Sequence, residues 1–373
     1  MTDSQIPWWT VKLSGDESLA IAKVLDSSFI NEGPVCLGLE KTFREYFDVR
    51  HAVLTTSGTA ALFLALKALG IKEGTKVAVP NLTFIATASA VRLCGGTPVL
   101  IDIDLNQLTI DPDHLFQQFK LHKFEYVIPV HISGRSSFSR EFWDVVAQCK
   151  LKVVEDAAES LGSIDPNSKR HLGSVGVAGA YSFSPNKVLT SGQGGLVVTN
   201  DDDLARKIRA LKDQGRTQRG TGGDDLHPYV GFNFKFTDIQ ASMIVSQLSS
   251  LDSRLEHLRN VYRYYRANIL AHENHKLLEF NLSSGEVPLW PEFSSSNRKK
   301  LEEVLYKNGI GYRNIWLPLS SQQPYLEDET LFANSKLAST RTLWLPSSFS
   351  LKDEELLRIT ETINAFIRRT EAQ

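Results

Sequence analysis

Short apolar runs alternate with stretches of helical spacing through the first half of the chain. The runs with the length of buried strands are 51–56, 76–79, 98–102, 126–130 and 152–156, and the stretches with helical spacing are 15–27, 37–47, 60–69 and 83–93. Strands that alternate with helices are typical of right-handed β-α-β crossovers. The pattern therefore predicts an α/β fold with a mostly parallel sheet.

After residue 200 the pattern changes to longer helices. Residues 237–269 keep apolar positions at helical spacing, a short strand is predicted at 287–290, and a last helix is predicted from residue 351. A chain of 373 residues is long enough for one large and one smaller domain. We expect a large domain over residues 1–250, with the N-terminal helices included, and a small C-terminal α+β domain over residues 251–373.

The composition excludes several classes of protein. Charged residues make up 23% of the chain and the net charge is −2, with no basic block that would favour nucleic acid or an anionic membrane. No apolar run has the length of a signal peptide core or a membrane span. Three widely spaced cysteines form neither a disulfide framework nor a metal motif, and His272 and His275 have the wrong spacing for zinc. We expect a cytoplasmic protein without a metal.

Lys187 lies in the most informative segment of the sequence. Hydroxyl side chains and Pro185 precede it, and a glycine-rich turn at 192–195 follows. Proline disfavours helix at Ser184, so the lysine should lie just beyond a bend. An amine on a flexible stem can form an imine with an aldehyde cofactor and then carry a proton. Taken alone, a surface lysine in a turn is equally compatible with this segment.

Three further features precede Lys187 in the order that a cofactor site needs. Ser57-Gly58-Thr59 stands between a strand and a helix, where backbone amides can bind phosphate, although an ordinary helix cap fits as well. Phe84 begins a predicted helix and can stack on a planar ring or belong to the core. Asp156 ends a strand, where it can pair with a pyridine nitrogen or cap a turn.

The sequence resembles the sugar aminotransferases of the DegT/DnrJ/EryC1/StrS group over almost the whole chain. The matching motifs lie, in order, at 56–62, 83–87, 98–104, 154–162, 182–187, 192–201 and 231–241. The resemblance implies the type I (aspartate aminotransferase-like) fold of enzymes that use pyridoxal 5′-phosphate. It also implies a homodimer with two shared active sites.

The resemblance implies a role for individual residues. Lys187 is expected to hold the cofactor as a Schiff base, and Asp156 to pair with its pyridinium nitrogen. The other expected cofactor contacts are Gly58, Thr59 and Ser182 around the phosphate, Phe84 on the ring, Glu159 near the phenolic oxygen where many relatives have Gln, and Asn233 from the neighbouring subunit. Arg313 and His227 are expected to contact the substrate.

The implied reaction converts a nucleotide-linked keto sugar to an amino sugar, with glutamate as donor, in polysaccharide or antibiotic biosynthesis. Some stretches resemble the perosamine-synthase-like subgroup, but Lys235 stands where that subgroup has Arg, and the histidine that many relatives place after Pro-Leu is missing after Leu319. The alternatives are another reaction on the same fold, or a regulatory protein that retains the cofactor. A dehydrating branch replaces the lysine with histidine, so Lys187 argues against that branch.

Overall fold

The computed structural model describes residues 5–218 and 225–371. A seven-stranded sheet has the order β1-β7-β6-β5-β4-β2-β3. Its strands are β1 (His51–Thr55), β2 (Lys76–Pro80), β3 (Thr97–Ile101), β4 (Tyr126–Val127), β5 (Lys152–Asp156), β6 (Ala178–Ser182) and β7 (Gly195–Thr199). Strand β7 runs antiparallel to both of its neighbours, and all other adjacent pairs in this sheet are parallel. The predicted mostly parallel α/β sheet is confirmed.

Helices and a second sheet complete the described part of the chain. The helices are α1 (Glu17–Asp26), α2 (Pro34–Phe47), α3 (Gly58–Ala68), α4 (Ala86–Leu93), α5 (Pro112–His122), α6 (Arg140–Cys149), α7 (Asp202–Lys212), α8 (Asp238–Leu248), α9 (Leu251–Asn268), α10 (Arg298–Lys307), α11 (Ala333–Arg341) and α12 (Asp353–Glu371). The second sheet is antiparallel, with the order β10-β11-β9-β8. Its strands are β8 (His275–Leu277), β9 (Glu292–Ser295), β10 (Arg313–Asn314) and β11 (Thr342–Trp344). Within the described residues, no helix is both long enough and apolar enough to cross a membrane.

Burial of the strands on both faces explains why their apolar residues follow one another without alternating with polar ones. Every residue of β7 is buried, and β1, β2 and β5 are buried except at their first residue. Parallel strands covered on both faces lose the alternation of apolar and polar positions. Helix α3 is buried along most of its length and packs between the sheet and α4, which places its N-terminus at a fixed point beside the sheet.

Several predicted elements differ from the structure. Residues 237–269 form two helices rather than one, because the chain turns at Ser249 and Ser250, where the Ser250 hydroxyl donates to the Gln247 carbonyl at 2.8 Å. The predicted strand at 287–290 is wrong: the amide of Val287 donates to Ser163 Oγ, and the next strand begins at Glu292. The predicted domain boundary at residue 250 falls between α8 and α9 and stays a prediction.

Charged side chains form hydrogen bonds with backbone groups on the outer edge of β1, the first strand of the large sheet. Glu40 accepts a hydrogen bond from the Leu54 amide at 2.9 Å, and Lys212 donates to the Leu54 carbonyl at 2.9 Å. Arg209 donates to the carbonyl of Ala52 at 3.0 Å and to Glu40 at 2.8 Å. An unpaired strand edge otherwise offers its backbone groups to other chains. Here the buried Glu40 and Lys212 and the partly exposed Arg209, from α2 and α7, take the place of a neighbouring strand.

The edge network predicts a large loss of stability on replacing Lys212 by methionine. Lys212 is 2% exposed and pairs with Glu32 and Glu40, so the Lys212→Met substitution removes a buried cation from beside these two carboxylates and leaves the Leu54 carbonyl without its lysine donor. We expect the free energy of unfolding in urea to fall by about 3 kcal/mol. As a control, Lys41→Met removes an exposed pair with Glu45 and should cost less than about 0.5 kcal/mol. Equal losses in both variants would contradict this account.

Candidate active site

A cavity of about 280 Å³ opens at the carboxyl ends of β5 and β6, beside the N-terminus of α3. Its walls consist of Ser57, Gly58, Thr59, Leu62, Thr83, Phe84, Ala86, Val130, Asp156, Ala158, Glu159, Ser182, Ser184, Asn186, Lys187, Gln193, Trp290, Arg313 and Trp316. Ligands in open α/β sheets bind at this edge. The structure therefore gathers most of the residues that the sequence predicted for the site.

The start of α3 forms a cup suited to an anion. Ser57 caps the helix by accepting a hydrogen bond from the Ala60 amide at 3.1 Å, so the capping role considered for this motif is correct. The amides of Gly58 and Thr59 belong to the first turn, where a helix offers no partners of its own. A Cβ atom at Gly58 would lie 2.9 Å from the Ser182 Cβ, so glycine is needed for α3 to approach Ser182. Free amides and a hydroxyl at a helix N-terminus favour a phosphate group.

Asp156 ends β5 as a buried carboxylate with two donors. Thr87 Oγ1 donates to Oδ2 at 2.7 Å and the Ala158 amide donates to Oδ1 at 3.2 Å. Burial raises the pKa of Asp156, while these two hydrogen bonds and the charge of Lys187 oppose the increase. Within residues 5–218 and 225–371, no cation forms a direct ion pair with this carboxylate. Asp156 is therefore arranged to receive a cationic group from the cavity.

Lys187 follows a turn in which its amide donates to the Ser184 carbonyl at 3.1 Å, as expected from Pro185. Its side chain is 12% exposed, which rules out a surface lysine. The Nζ atom donates to Glu159 Oε1 at 3.2 Å and lies 4.6 Å from the centre of the Trp290 ring. Burial raises the pKa of Glu159, opposed by the charge of Lys187 and by the hydrogen bond from the Ser133 amide.

Aromatic side chains form another wall of the cavity. Phe84 is 51% exposed and contacts Trp316 with ring centres 6.2 Å apart, so it is not a core residue. It precedes α4 rather than beginning it, because the helix starts at Ala86. Trp290 and Trp316 were not predicted as site residues, because both lie in irregular segments where no periodicity indicates a function. Thr87, which orients Asp156, was also missed, although it lies three residues after Phe84.

Two predicted site residues lie outside the cavity. Asn233 is exposed and forms an isolated bridge with Asp213. The ring nitrogen Nδ1 of His227 lies 2.9 Å from the carbonyl oxygen of Gln214. Their roles stay predictions, and for Asn233 the expected site was that of a neighbouring subunit.

The residues present fit the cofactor implied by the resemblance. The α3 cup matches a phosphate, the buried Asp156 carboxylate matches a protonated pyridine nitrogen, and Lys187 supplies an amine that can bond to an aldehyde. All of these groups line one cavity.

Comparison with known proteins agrees with this reading. The profile of the DegT/DnrJ/EryC1/StrS aminotransferase family matches residues 12–364. The chain is 34% identical over 321 residues to the GDP-perosamine synthase of Caulobacter vibrioides, covering 84% of this chain and 85% of that protein. It is 30% identical to the GDP-perosamine synthase of Escherichia coli O157:H7, covering 97% and 98%. The structure of S. venezuelae DesV in complex with a ketimine intermediate has a TM-score of 0.90 at 28% identity, covering 97% of this chain and 98% of that chain.

The environment of Asp156 predicts that the Asp156→Asn substitution stabilises the protein freed of cofactor. Above the raised pKa of Asp156 the wild-type chain buries a charged carboxylate, a cost that asparagine avoids. We expect the melting temperature of the cofactor-free chain to rise by a few degrees. The gain should shrink as the pH falls through the raised pKa of Asp156, because protonation removes the buried charge from the wild type. Thermal unfolding across pH measures this, with the exposed Asp144→Asn as control; a gain independent of pH would refute the explanation.

Proposed function

Because this chain belongs to the DegT/DnrJ/EryC1/StrS aminotransferase family, we propose that it transfers an amino group from glutamate to a nucleotide-linked keto sugar. The observation that carries the proposal is the placement of Lys187, Asp156 and the α3 cup around one cavity. Two of its relatives are GDP-perosamine synthases, so a GDP-linked keto sugar is the first substrate to test.

The cofactor is pyridoxal 5′-phosphate, which supplies an aldehyde that bonds to amines and a pyridinium ring that accepts the electron pair left when a substrate carbon loses its proton. Gly58, Thr59 and Ser182 would hold its phosphate. Asp156 would keep the ring nitrogen protonated, because a buried carboxylate favours a cation beside it. Thr87 and the Ala158 amide fix the orientation of that carboxylate.

Lys187 is the proposed catalytic base and acid. It would bond to the cofactor before the substrate arrives, and afterwards its Nζ atom would remove a proton from the substrate carbon and return it at another position. Glu159 holds Nζ at 3.2 Å, and the Trp290 ring shields it from water on another side. The free amine thus stays oriented within the cavity between proton transfers.

Arg313 is the proposed contact for an anionic group of the substrate. It lies on β10, lines the cavity and is exposed. Its guanidinium lies 5.2 Å from the centre of the Trp8 ring and 5.9 Å from that of Trp344, which limits its orientations. A planar guanidinium fork is well suited to phosphate or carboxylate oxygens.

We also propose a homodimer with shared active sites, and two features of the described chain support it. Large apolar side chains are left exposed near Asn233, among them Leu226 at 77% and Val230 at 87%. Such exposure is typical of a surface covered by another subunit. Asn233 does not line the cavity of its own chain, so the expected phosphate contact requires the cavity of the partner.

Replacement of Lys187 by alanine should abolish both cofactor attachment and turnover. In the wild type, borohydride should fix pyridoxal phosphate to the protein, and glutamate should yield 2-oxoglutarate in the presence of a keto sugar from a GDP-, UDP- or dTDP-linked panel. The Lys187→Ala protein should neither retain the cofactor after borohydride treatment nor form 2-oxoglutarate. The control Lys12→Ala, which loses a contact to the Phe349 carbonyl, should do both. Transamination by the Lys187→Ala protein would contradict the catalytic role proposed for Lys187. Failure of the wild type with every keto sugar would instead favour a cofactor-retaining regulator.

Shared active sites predict that two inactive variants complement each other. Lys187→Ala and Asn233→Asp, each poorly active alone, are mixed, unfolded and refolded together. In the mixed dimer one of the two sites combines an intact Lys187 with an intact Asn233 from the other chain. Mixed dimers should make up about half of the refolded protein, so the activity of the whole mixture should return to about a quarter of the wild-type level. The expected mass in solution is that of two chains. No recovery in a confirmed mixed dimer would show that Asn233 does not serve the partner's site.

A further inference from the structure

Ser133 has an unusual backbone conformation close to Lys187. Its φ angle is +52° and its ψ angle +17°, in the left-handed region that residues with a side chain rarely adopt. It is completely buried in the turn after β4. Strained residues persist only where their surroundings hold them, and they concentrate at functional sites.

Three hydrogen bonds hold Ser133, one at each of its polar groups. Its amide donates to Glu159 Oε2 at 2.9 Å, and its carbonyl accepts from the Leu289 amide at 2.9 Å. Its hydroxyl accepts from the indole Nε1 of Trp344 at 2.9 Å. The strain is therefore offset by contacts from three separate segments.

Both groups that contact the Lys187 amine depend on Ser133. Glu159 is held by the Ser133 amide and accepts from Nζ through its other oxygen. Trp290, whose ring lies under Nζ, directly follows Leu289, which is held by the Ser133 carbonyl. The Trp344 ring also packs against Trp290 at 5.2 Å between centres.

We propose that Ser133 is a positioning residue for Lys187, which acts through Glu159 and is itself held by the indole of Trp344. A rotation of the Ser133 peptide out of the left-handed region would turn its N–H away from Glu159. The carboxylate would then lose the donor that fixes it opposite Nζ. The inference rests on the proposed role of Lys187 in the reaction.

The first test measures the reactivity of the Lys187 amine without the reaction. Full-length protein freed of cofactor is treated at neutral pH with a limiting amount of acetic anhydride, and acetylation of Lys187 is quantified by peptide mass spectrometry relative to the exposed Lys41. The Nζ atom must give up its hydrogen bond to Glu159 before it attacks the reagent, so a fixed carboxylate slows the attack. Ser133→Ala, which keeps the strain but loses the hydroxyl, should be acetylated at Lys187 about fivefold faster, as expected for the loss of one hydrogen bond.

Two further variants separate positioning from general loosening. Glycine adopts the left-handed conformation freely, so Ser133→Gly should stay within about twofold of the wild type. In a Glu159→Gln background, Ser133→Ala should add no further change, because the residue through which it acts has lost its charge. Tyr265→Phe is the matched control, since it removes another buried aromatic donor, to the Pro346 carbonyl, that does not reach the site.

The proposal is overturned if Tyr265→Phe accelerates the acetylation of Lys187 as much as Ser133→Ala does. It is also overturned if Ser133→Ala accelerates this acetylation equally in the wild-type and the Glu159→Gln backgrounds. Unchanged acetylation in Ser133→Ala also overturns it. Should Ser133→Ala fail to fold, Trp344→Phe removes the indole donor and keeps a smaller aromatic ring in its place, and the same acceleration is expected. In the enzyme with its cofactor bound, Ser133→Ala should lower kcat and leave the KM for the keto sugar unchanged. If no keto sugar is turned over, the acetylation result still decides on Ser133.

Discussion

Asp156 ends β5 and Ser182 ends β6, and these two strands are parallel neighbours, so both side chains reach the same edge of the sheet. Helix α3 begins at this edge because it is buried against the sheet, and the turn that carries Lys187 follows β6 directly. The parallel pairing of two short strands therefore brings a carboxylate, a phosphate cup and an amine to one cavity. The pairing sets the positions of Asp156 and Ser182 directly, since each of them is the last residue of its strand.

Site residues whose positions depend on their neighbours in the sequence were predicted. Site residues whose positions depend on contacts with distant parts of the chain were not. The cap at Ser57, the strand end at Asp156 and the bend before Lys187 each depend on residues within a few positions. The apolar run at 287–290 has the appearance of a strand, but its amides bind Ser163 and Ser133, more than a hundred residues earlier in the chain. No periodicity records such pairings, and the roles of Trp290 and Trp344 were hidden for the same reason.

The charges of the site do not balance within the described chain. Asp156 and Glu159 are both buried carboxylates whose pKa is raised by burial, and the charge of Asp156 adds to the increase at Glu159. Lys187 pairs directly with only one of them. With Asp156 in the role proposed for it, a protonated pyridine ring would bring a positive charge to this carboxylate, and binding of the cofactor would offset part of the cost of burying it.

The small antiparallel sheet contributes to the site mainly by holding the turn that contains Ser133. Arg135, two residues further on, donates to Glu292 of β9 at 3.0 Å in a fully buried ion pair, and Trp344 of β11 holds the Ser133 hydroxyl. A Cβ atom at Gly134 would lie 1.9 Å from the Val287 carbonyl, so the turn also approaches the segment before Trp290 as closely as glycine permits. Two of these contacts fix the turn to strands of the second sheet, and the third fixes it to the irregular segment that precedes β9. Because Glu159 is fixed in turn by Ser133, the position of the Lys187 amine depends on both sheets, although Lys187 itself belongs to the first.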